Sequence, residues 1–188
     1  MVSFAVYEPE ATGERLPVTV RPALADDVEA MTDIGLRAGR PVRPDAYLRA
    51  LDDERRCVLV ATADLAGIES QVVGWAQTSH RTVVTDPAPA GHYLAGVTVD
   101  PRLRRRGVAT ALTRARLEWV AGRAMEAFFV VNARNLASIA LHRPWRFAEV
   151  ARGPRLAGVT FEGGVGLLLR APLAPPGTGT GGGRGAVR

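Results

Sequence analysis

VTVDPRLRRRGVAT, residues 97–110, decides the fold of this protein. Apolar and small residues alternate from Tyr93 to Val99, which predicts a strand that ends at Pro101. After Gly107 the apolar residues recur at helical spacing, at Val108, Ala111, Leu112, Ala115 and Trp119. The turn at residues 104–109 therefore opens a helix, where unpaired backbone N–H groups and the helix dipole favour an anion. This stretch predicts a phosphate-binding turn.

The same turn resembles the acyl-CoA signature of the GNAT superfamily of N-acetyltransferases. That signature is Gln or Arg, two variable residues, Gly, one variable residue, then Gly or Ala, and here it reads Arg104, Gly107 and Ala109. A second block, NLASIALHRPWRF at residues 135–147, resembles the later GNAT motif, in which an Asn opens a helix bearing Leu-Tyr and the chain continues to Gly-Phe. The two blocks follow the family's order, and the resemblance covers roughly residues 17–170.

The pattern along the chain predicts the order β-α-α-β-β-β-α-β-α-β-β, an α+β fold. The resemblance implies a mixed, mostly antiparallel central sheet flanked by helices, with a splayed strand pair that binds acyl-CoA. Outside the signature, the predicted strands are residues 16–23, 56–63, 71–78, 126–132, 147–152 and 165–170, and the other helices are residues 26–39, 45–54 and 136–143. Asp26 or Asp27 is the predicted N-cap of the first helix, and Gly122 the C-cap of the signature helix.

The length of 188 residues predicts one domain. We assign residues 1–16 to an N-terminal extension, 17–172 to the N-acetyltransferase domain and 173–188 to a disordered Gly/Pro-rich tail. No basic leader precedes an apolar run and no segment is long enough to span a bilayer, so we expect a cytoplasmic protein without membrane contact. The single cysteine, Cys57, lies in an apolar run and is interpreted as a buried strand residue.

All 24 basic residues are arginine, which excludes Schiff-base chemistry on a lysine. The net charge of +5 raises the question of nucleic-acid binding. The arginines are scattered and aromatic residues do not alternate with them, so we predict no nucleic-acid partner. No cluster with metal-ligand spacing is present either, and no metal is predicted.

The resemblance implies that acetyl-CoA is the acyl donor. Backbone groups of one splayed strand would pair with the pantetheine arm, the turn would hold the pyrophosphate, and the Asn of the second motif would contact the cofactor, unless it is a plain helix N-cap. The predicted cofactor-binding residues are Val97, Thr98, Val99, Arg104, Arg105, Arg106, Gly107, Val108, Ala109, Thr110 and Asn135.

His142 stands where the family usually carries a tyrosine that gives a proton to the CoA thiolate. It is the predicted catalytic residue, and the alternative is a helix histidine without a role. Arg146 replaces the family's glycine, so we expect the end of this helix to be rebuilt. No general base is evident; His80, His92 and Glu162 are the candidates.

These observations predict an N-acetyltransferase that moves an acetyl group to a primary amine of a small molecule, by direct attack in a ternary complex. A protein N-terminal or lysine acetyltransferase, a catalytically silent CoA-binding regulatory domain and a basic nucleic-acid module are the alternatives. The sequence names neither the acceptor nor the oligomeric state, and a homodimer is left open.

Overall fold

A computed structural model describes residues 4, 5, 7, 13–85 and 87–174 of the chain. Short 3-10 turns precede α1 and α3 and follow α4. The elements are β1 (Thr19–Pro22), α1 (Val28–Arg37), α2 (Pro44–Leu51), β2 (Arg56–Leu65), β3 (Ile68–Arg81), β4 (Gly91–Val99), α3 (Val108–Ala121), β5 (Glu126–Asn132), α4 (Leu136–His142), β6 (Ala148–Gly153), β7 (Arg155–Leu156), β8 (Val159–Thr160) and β9 (Gly166–Pro172).

Seven of the strands form one sheet in the order β1-β2-β3-β4-β5-β9-β6. All neighbours in it are antiparallel except β4 and β5, which are parallel because α3 connects them across one face of the sheet. The remaining strands, β7 and β8, form a separate hairpin. This mixed, mostly antiparallel sheet with flanking helices confirms the predicted α+β fold.

Both faces of the sheet are buried around β2, which explains the uninterrupted apolar run of that strand. Val58 and Val60 face α1 and α2, in a cluster with Met31. Leu59 and the other alternate residues face α3 on the opposite side. Cys57 belongs to this second cluster, and burial raises the pKa of its thiol to about 11, which confirms the interpretation of a buried strand cysteine.

Gly74 lets α3 begin close to the sheet. A Cβ at this position would lie 3.0 Å from the carbonyl oxygen of Thr98 and 3.2 Å from a methyl group of Val108. Such a contact requires the backbone of β4 or the first turn of α3 to move. The absence of a side chain therefore sets the distance between the sheet and the start of α3.

The hairpin β7–β8 lies in a connection for which the sequence predicted no element. Each strand has two residues, and the turn between them places Ala157 and Gly158 at positive φ. The hairpin positions Leu156, which is 2% exposed, against Phe128 and Leu168. Strands this short carry no periodic signal, which is why the pattern of the sequence missed them.

Several predicted boundaries are wrong by a few residues. β1 begins at Thr19 rather than at residue 16, and β3 extends from Ile68 to Arg81. Asp27 occupies the N-cap position of α1, as predicted, but its side chain makes no capping hydrogen bond to that helix. Instead, the Asp27 carboxylate accepts the amide of Leu24, 2.7 Å away, three residues earlier.

The chain termini bear on the predicted domain boundaries. β9 continues to Pro172, and the amide of Leu173 donates to the carbonyl of Met125 over 2.8 Å. Most of the predicted tail, residues 175–188, lies outside the described residues, as does most of the predicted N-terminal extension. Within the described part of the chain, no helix is long and apolar enough to cross a membrane.

Candidate active site

A gap opens between the parallel strands β4 and β5. The two strands are paired at a single position, where Tyr93 lies opposite Phe128 near the start of each strand. Beyond that position β4 keeps its pairing with β3 on the other side as far as Val99. The carboxyl-terminal half of β4 therefore has one edge that no strand among the described residues covers.

Two of the three strand residues predicted to bind the cofactor present their backbone to this gap. Asp100 donates its amide to the carbonyl of Val73, 3.0 Å away on β3. Because antiparallel neighbours alternate between bonded and non-bonded pairs, Val99 directs its own N–H and C=O away from β3 and towards the gap. Val97 has the same orientation, whereas the backbone of Thr98 bonds to β3.

The turn that follows β4 has the geometry of an anion site. Gly107 adopts φ +88°, in the left-handed region, and no atom lies within 4 Å of the position a Cβ would occupy. The first helical hydrogen bond runs from the amide of Ala111 to the carbonyl of Gly107 over 3.0 Å. The amides of Val108, Ala109 and Thr110 precede it at the start of a 14-residue helix, where the dipole favours negative charge.

Hydrogen bonds from two other parts of the chain hold this turn in place. The buried carboxylate of Asp100 accepts from the backbone and guanidinium of Arg102 and from the guanidinium of Arg37 at the end of α1, 3.2 Å away. These contacts lower the pKa of Asp100 to about 2. The amide of Leu16 donates to the carbonyl of Arg106 over 3.0 Å. The turn is therefore rigid before any ligand arrives.

Arg40, which the sequence did not single out, adds positive charge beside the turn. Its side chain is half-buried in the connection between α1 and α2, and burial together with the neighbouring Arg104 lowers its pKa. Two guanidinium groups that repel one another gain from an anion between them. Isolated from any motif, Arg40 could be assigned only by its place in the fold.

His142 lies on the opposite side of the gap, at the end of α4. Its ring is 4% exposed and stacks on Phe129 of β5 with 4.2 Å between ring centroids. Nδ1 lies 2.8 Å from the carbonyl oxygen of Ser138, so Nδ1 carries a proton and donates it there. Burial, reinforced by the charge of Arg116, lowers the pKa of His142 to about 4.

These contacts define the state of His142 at neutral pH. The imidazole is neutral, and its buried Nε2 has no partner within the described structure. With the proton on Nδ1, Nε2 carries a lone pair and accepts rather than donates. A proton given from Nε2 to sulfur must therefore first be acquired during the reaction.

The second motif is arranged as its sequence pattern indicates. The side chain of Asn135 accepts the amide of Ser138 over 3.2 Å and so caps α4. α4 ends at His142, and a 3-10 turn leads to Arg146, which adopts φ +58°. This arginine thus adopts the left-handed conformation that favours glycine, at a cost of about 1 kcal/mol. Because the turn keeps this conformation, the expectation that the arginine would cause the helix end to be rebuilt is wrong.

The three candidates for a general base lie in two separate places. His80 and His92 stack at 4.6 Å between ring centroids at the paired end of β4, and His92 also contacts Trp119 of α3. Their place is at the opposite end of β4 from the gap. Glu162 follows β8, and its carbonyl accepts the side-chain amide of Asn132 at the carboxyl end of β5, the end at which the gap opens.

Comparisons with known proteins agree with this geometry. The model of the Acetyltransferase (GNAT) family matches residues 27–146, more than half of the chain, whereas no curated protein matches significantly. Among 449 similar chains of known structure is the ribosomal-protein-S18-alanine N-acetyltransferase from Escherichia coli. Its TM-score is 0.64 and its identity 20%, covering 87% of this chain and 98% of that one.

Two further solved structures show the range of proteins with this fold. NAA60 from Arabidopsis thaliana, solved with acetyl-CoA, has a TM-score of 0.66 and 16% identity over 83% of this chain and 98% of that one. A protein named as a "putative phosphinothricin N-acetyltransferase" has a TM-score of 0.59 and 21% identity over 84% of this chain and 99% of that one. Family, enzyme class and acyl donor are as the two sequence motifs predicted: the chain belongs to the GNAT family of acetyltransferases, which use acetyl-CoA.

Proposed function

We propose that this protein transfers an acetyl group from acetyl-CoA to a primary amine of a small molecule, by direct attack in a ternary complex. One observation carries the proposal: the uncovered edge of β4 is followed, after one 3-10 turn, by the left-handed turn at Gly107. The edge offers hydrogen-bonding groups for the amides of pantetheine, and the turn offers amides for a pyrophosphate. Together they form a slot with the hydrogen-bonding groups that acyl-CoA needs, which we name the acyl-CoA slot.

The backbone of β4 would also serve the chemical step. The free N–H of Val97 or Val99 faces the gap, where it can donate to the thioester carbonyl oxygen. As the amine attacks, the C=O bond becomes an oxyanion, and one such donor contributes about 3 kcal/mol to its stabilisation. Collapse of the tetrahedral intermediate then breaks the C–S bond, and the electron pair leaves with sulfur.

His142 is the proposed proton carrier for this collapse. Its Nε2 lone pair can accept the proton that the attacking nitrogen loses and then return it to the departing thiolate. The low pKa of the imidazole, set by burial, makes the second transfer favourable because an imidazolium in this site is a strong acid. The lone pair thus gives His142 the task of the family's tyrosine by a different route.

The proposed acceptor is a small primary amine, such as an amino acid derivative, a polyamine or an amino sugar. Arg40 and Arg104 lie together beside the turn at Gly107, where their charge supports binding of the CoA phosphates. A protein N-terminus or lysine is the alternative acceptor, since the E. coli protein of the same fold is named for a ribosomal protein. A cytoplasmic location and a homodimer remain predictions.

The test is an acceptor screen. Pooled amino acids, amino-acid analogues, polyamines and short peptides are incubated with acetyl-CoA, and mass spectrometry detects the gain of one acetyl group while a thiol reagent follows CoA release. Acetylation of small primary amines is expected. Acetylated peptides alone would identify the protein-directed alternative, and tight CoA binding without turnover the regulatory one. Retention on nucleic acid that salt abolishes would instead indicate the basic module.

A further inference from the structure

Arg116 is the largest side chain that is fully buried, with 1% of its surface exposed. It lies on α3, one helical turn after Leu112, on the face that packs against the sheet. A guanidinium in a protein core costs several kcal/mol unless it is well paired. Within the described part of the chain, no carboxylate bonds to it. Its partners are the carbonyls of Ala95 at 2.7 Å and Gln77 at 3.4 Å, and the hydroxyl of Thr113 at 3.0 Å.

The two carbonyls belong to one irregularity of the sheet. The register between β3 and β4 shifts so that Gln77 alone lies opposite two residues, Ala95 and Gly96. Such a β-bulge disrupts the ladder and leaves backbone groups unpaired. A single nitrogen of Arg116, Nη1, bonds the carbonyl on each side of the shift. The arginine therefore supplies the hydrogen bonds that the bulge removes.

The bulge lies where β4 parts from β5. The last pair between these strands is at Tyr93, two residues before Ala95, and the backbone of Val97 faces the gap one residue after the bulge. By holding the carbonyl of Ala95 towards α3, Arg116 fixes the twist of the strand at this point. The direction of the uncovered edge of the acyl-CoA slot then depends on this side chain.

The positive charge of Arg116 also acts at the gap between β4 and β5. Burial lowers its pKa to about 10, so it stays protonated at neutral pH. It is close enough to His142 across the gap to lower the pKa of that imidazole. Cys57 of β2 also lies near Arg116, and its raised pKa keeps the thiol neutral. Arg123, which follows α3, is a second positive charge close to Cys57. A fixed positive charge therefore lies between β4 and α4, and none of the described carboxylates bonds to it.

We propose that Arg116 is a positioning residue that holds the acyl-CoA slot open from inside the core and places a fixed positive charge beneath the sulfur of the departing CoA. This inference rests on the proposed function to the extent that the slot binds acyl-CoA. The charge acts when the C–S bond breaks and the electron pair moves to sulfur; Arg116 itself transfers no proton. Its location explains why a costly charge is kept where an apolar side chain would pack.

The experiment compares Arg116→Met, Arg116→Gln and Arg116→Lys with Arg114→Met, a matched control on the exposed face of α3. Calorimetry measures the affinity of each protein for CoA and for desulfo-CoA, which lacks the thiol, from neutral to alkaline pH. The wild type should prefer CoA increasingly as the bound thiol ionises. Arg116→Met and Arg116→Gln should lose about 10-fold or more of that preference, and kcat should fall about 10- to 100-fold.

Arg116→Lys keeps the charge and should retain the pH-dependent preference, and Arg114→Met should behave as wild type. If Arg116→Met does not fold, the Gln and Lys variants provide the same comparison. An unchanged CoA preference in folded charge-free variants would overturn the inference, even with a lower kcat, because a merely structural arginine predicts that result. Wild-type kcat in those variants would overturn it as well. Failure of the wild type to bind CoA would instead refute the proposed function, and calorimetry needs no acceptor.

Discussion

Both halves of β4 pair with β3 on one side, but they differ on the other side, which faces β5. In the first half, side chains fill the space beside the strand: Tyr93 stacks on Phe128 at 5.2 Å and His92 packs against Trp119. In the second half, beyond the bulge, the backbone of Val97 and Val99 faces a gap. Pairing with β5 makes the first half part of the core, and the loss of that pairing leaves the second half with an open edge.

The difference between the two halves depends on the point at which hydrogen bonding between β4 and β5 stops. A strand edge without a neighbour is usually a liability, because its N–H and C=O groups seek partners. Here the open edge is short, it begins at a bulge and it ends in a rigid turn anchored by Asp100. A ligand with its own amides and phosphates is the partner that such an edge can accept.

The largest expected effect is at the open end, at Gly107. Gly107→Glu should weaken acetyl-CoA binding on the order of 1000-fold, because a carboxylate would face the pyrophosphate and a side chain would occupy a left-handed position. Calorimetry with acetyl-CoA measures the loss. Gly107→Ala is the control: it carries the backbone strain without the charge and should lose about 10-fold at most. Equal affinities for Glu and Ala would show that the turn binds no anion.

The next largest effect is expected at His142, at the end of α4. His142→Phe should lower kcat by about 10- to 1000-fold with little change in acetyl-CoA affinity, because the ring can still stack on Phe129 but cannot carry a proton. His142→Tyr should recover much of the rate. Turnover of His142→Phe at the wild-type rate between about pH 6 and 9 would make the residue a bystander.

The burial of His142 also makes stability depend on pH. Its pKa is about 4 in the folded protein and about 6.5 when unfolded, so the unfolded chain binds more protons between these values. The contribution is complete above about pH 6.5 and is lost as the pH falls towards 4, on the order of 3 kcal/mol in total. Chemical denaturation of the wild type and His142→Phe over this range should show a steeper decline for the wild type. Parallel stability curves for the two proteins would mean that His142 takes up its proton over the same pH range in the folded and the unfolded chain.

The smallest effect is expected at the paired end of β4. His80→Gln and His92→Gln should each change kcat by less than about twofold, because both rings lie at the end of the strand where β4 and β5 are joined. Glu162→Gln provides the contrast at the open end. If either histidine variant loses activity while its acetyl-CoA affinity stays normal, the proton acceptor lies at the paired end of β4, and our assignment of it to the open end is wrong.

Much of the fold followed from local patterns. The alternation before Pro101 and the helical spacing after Gly107 located β4, α3 and the turn between them, because these signals arise from contacts within a few residues. The hairpin at Leu156 did not follow, since two-residue strands have no period. The N-cap at Leu24 was missed because the side chain that completes it, Asp27, lies inside the first turn.

The sequence by itself determined the order of the helices and of the strands of the central sheet, the turn that opens α3 and the family, because each depends on residue types at short, fixed spacings. Only the tertiary structure decided the states of His142 and Arg116. The sequence places one at a tyrosine's position and the other on an apolar helical face. Their burial, the tautomer of the imidazole and the bulge that Arg116 completes depend on residues distant along the chain, which solvation and packing bring together only in the folded protein.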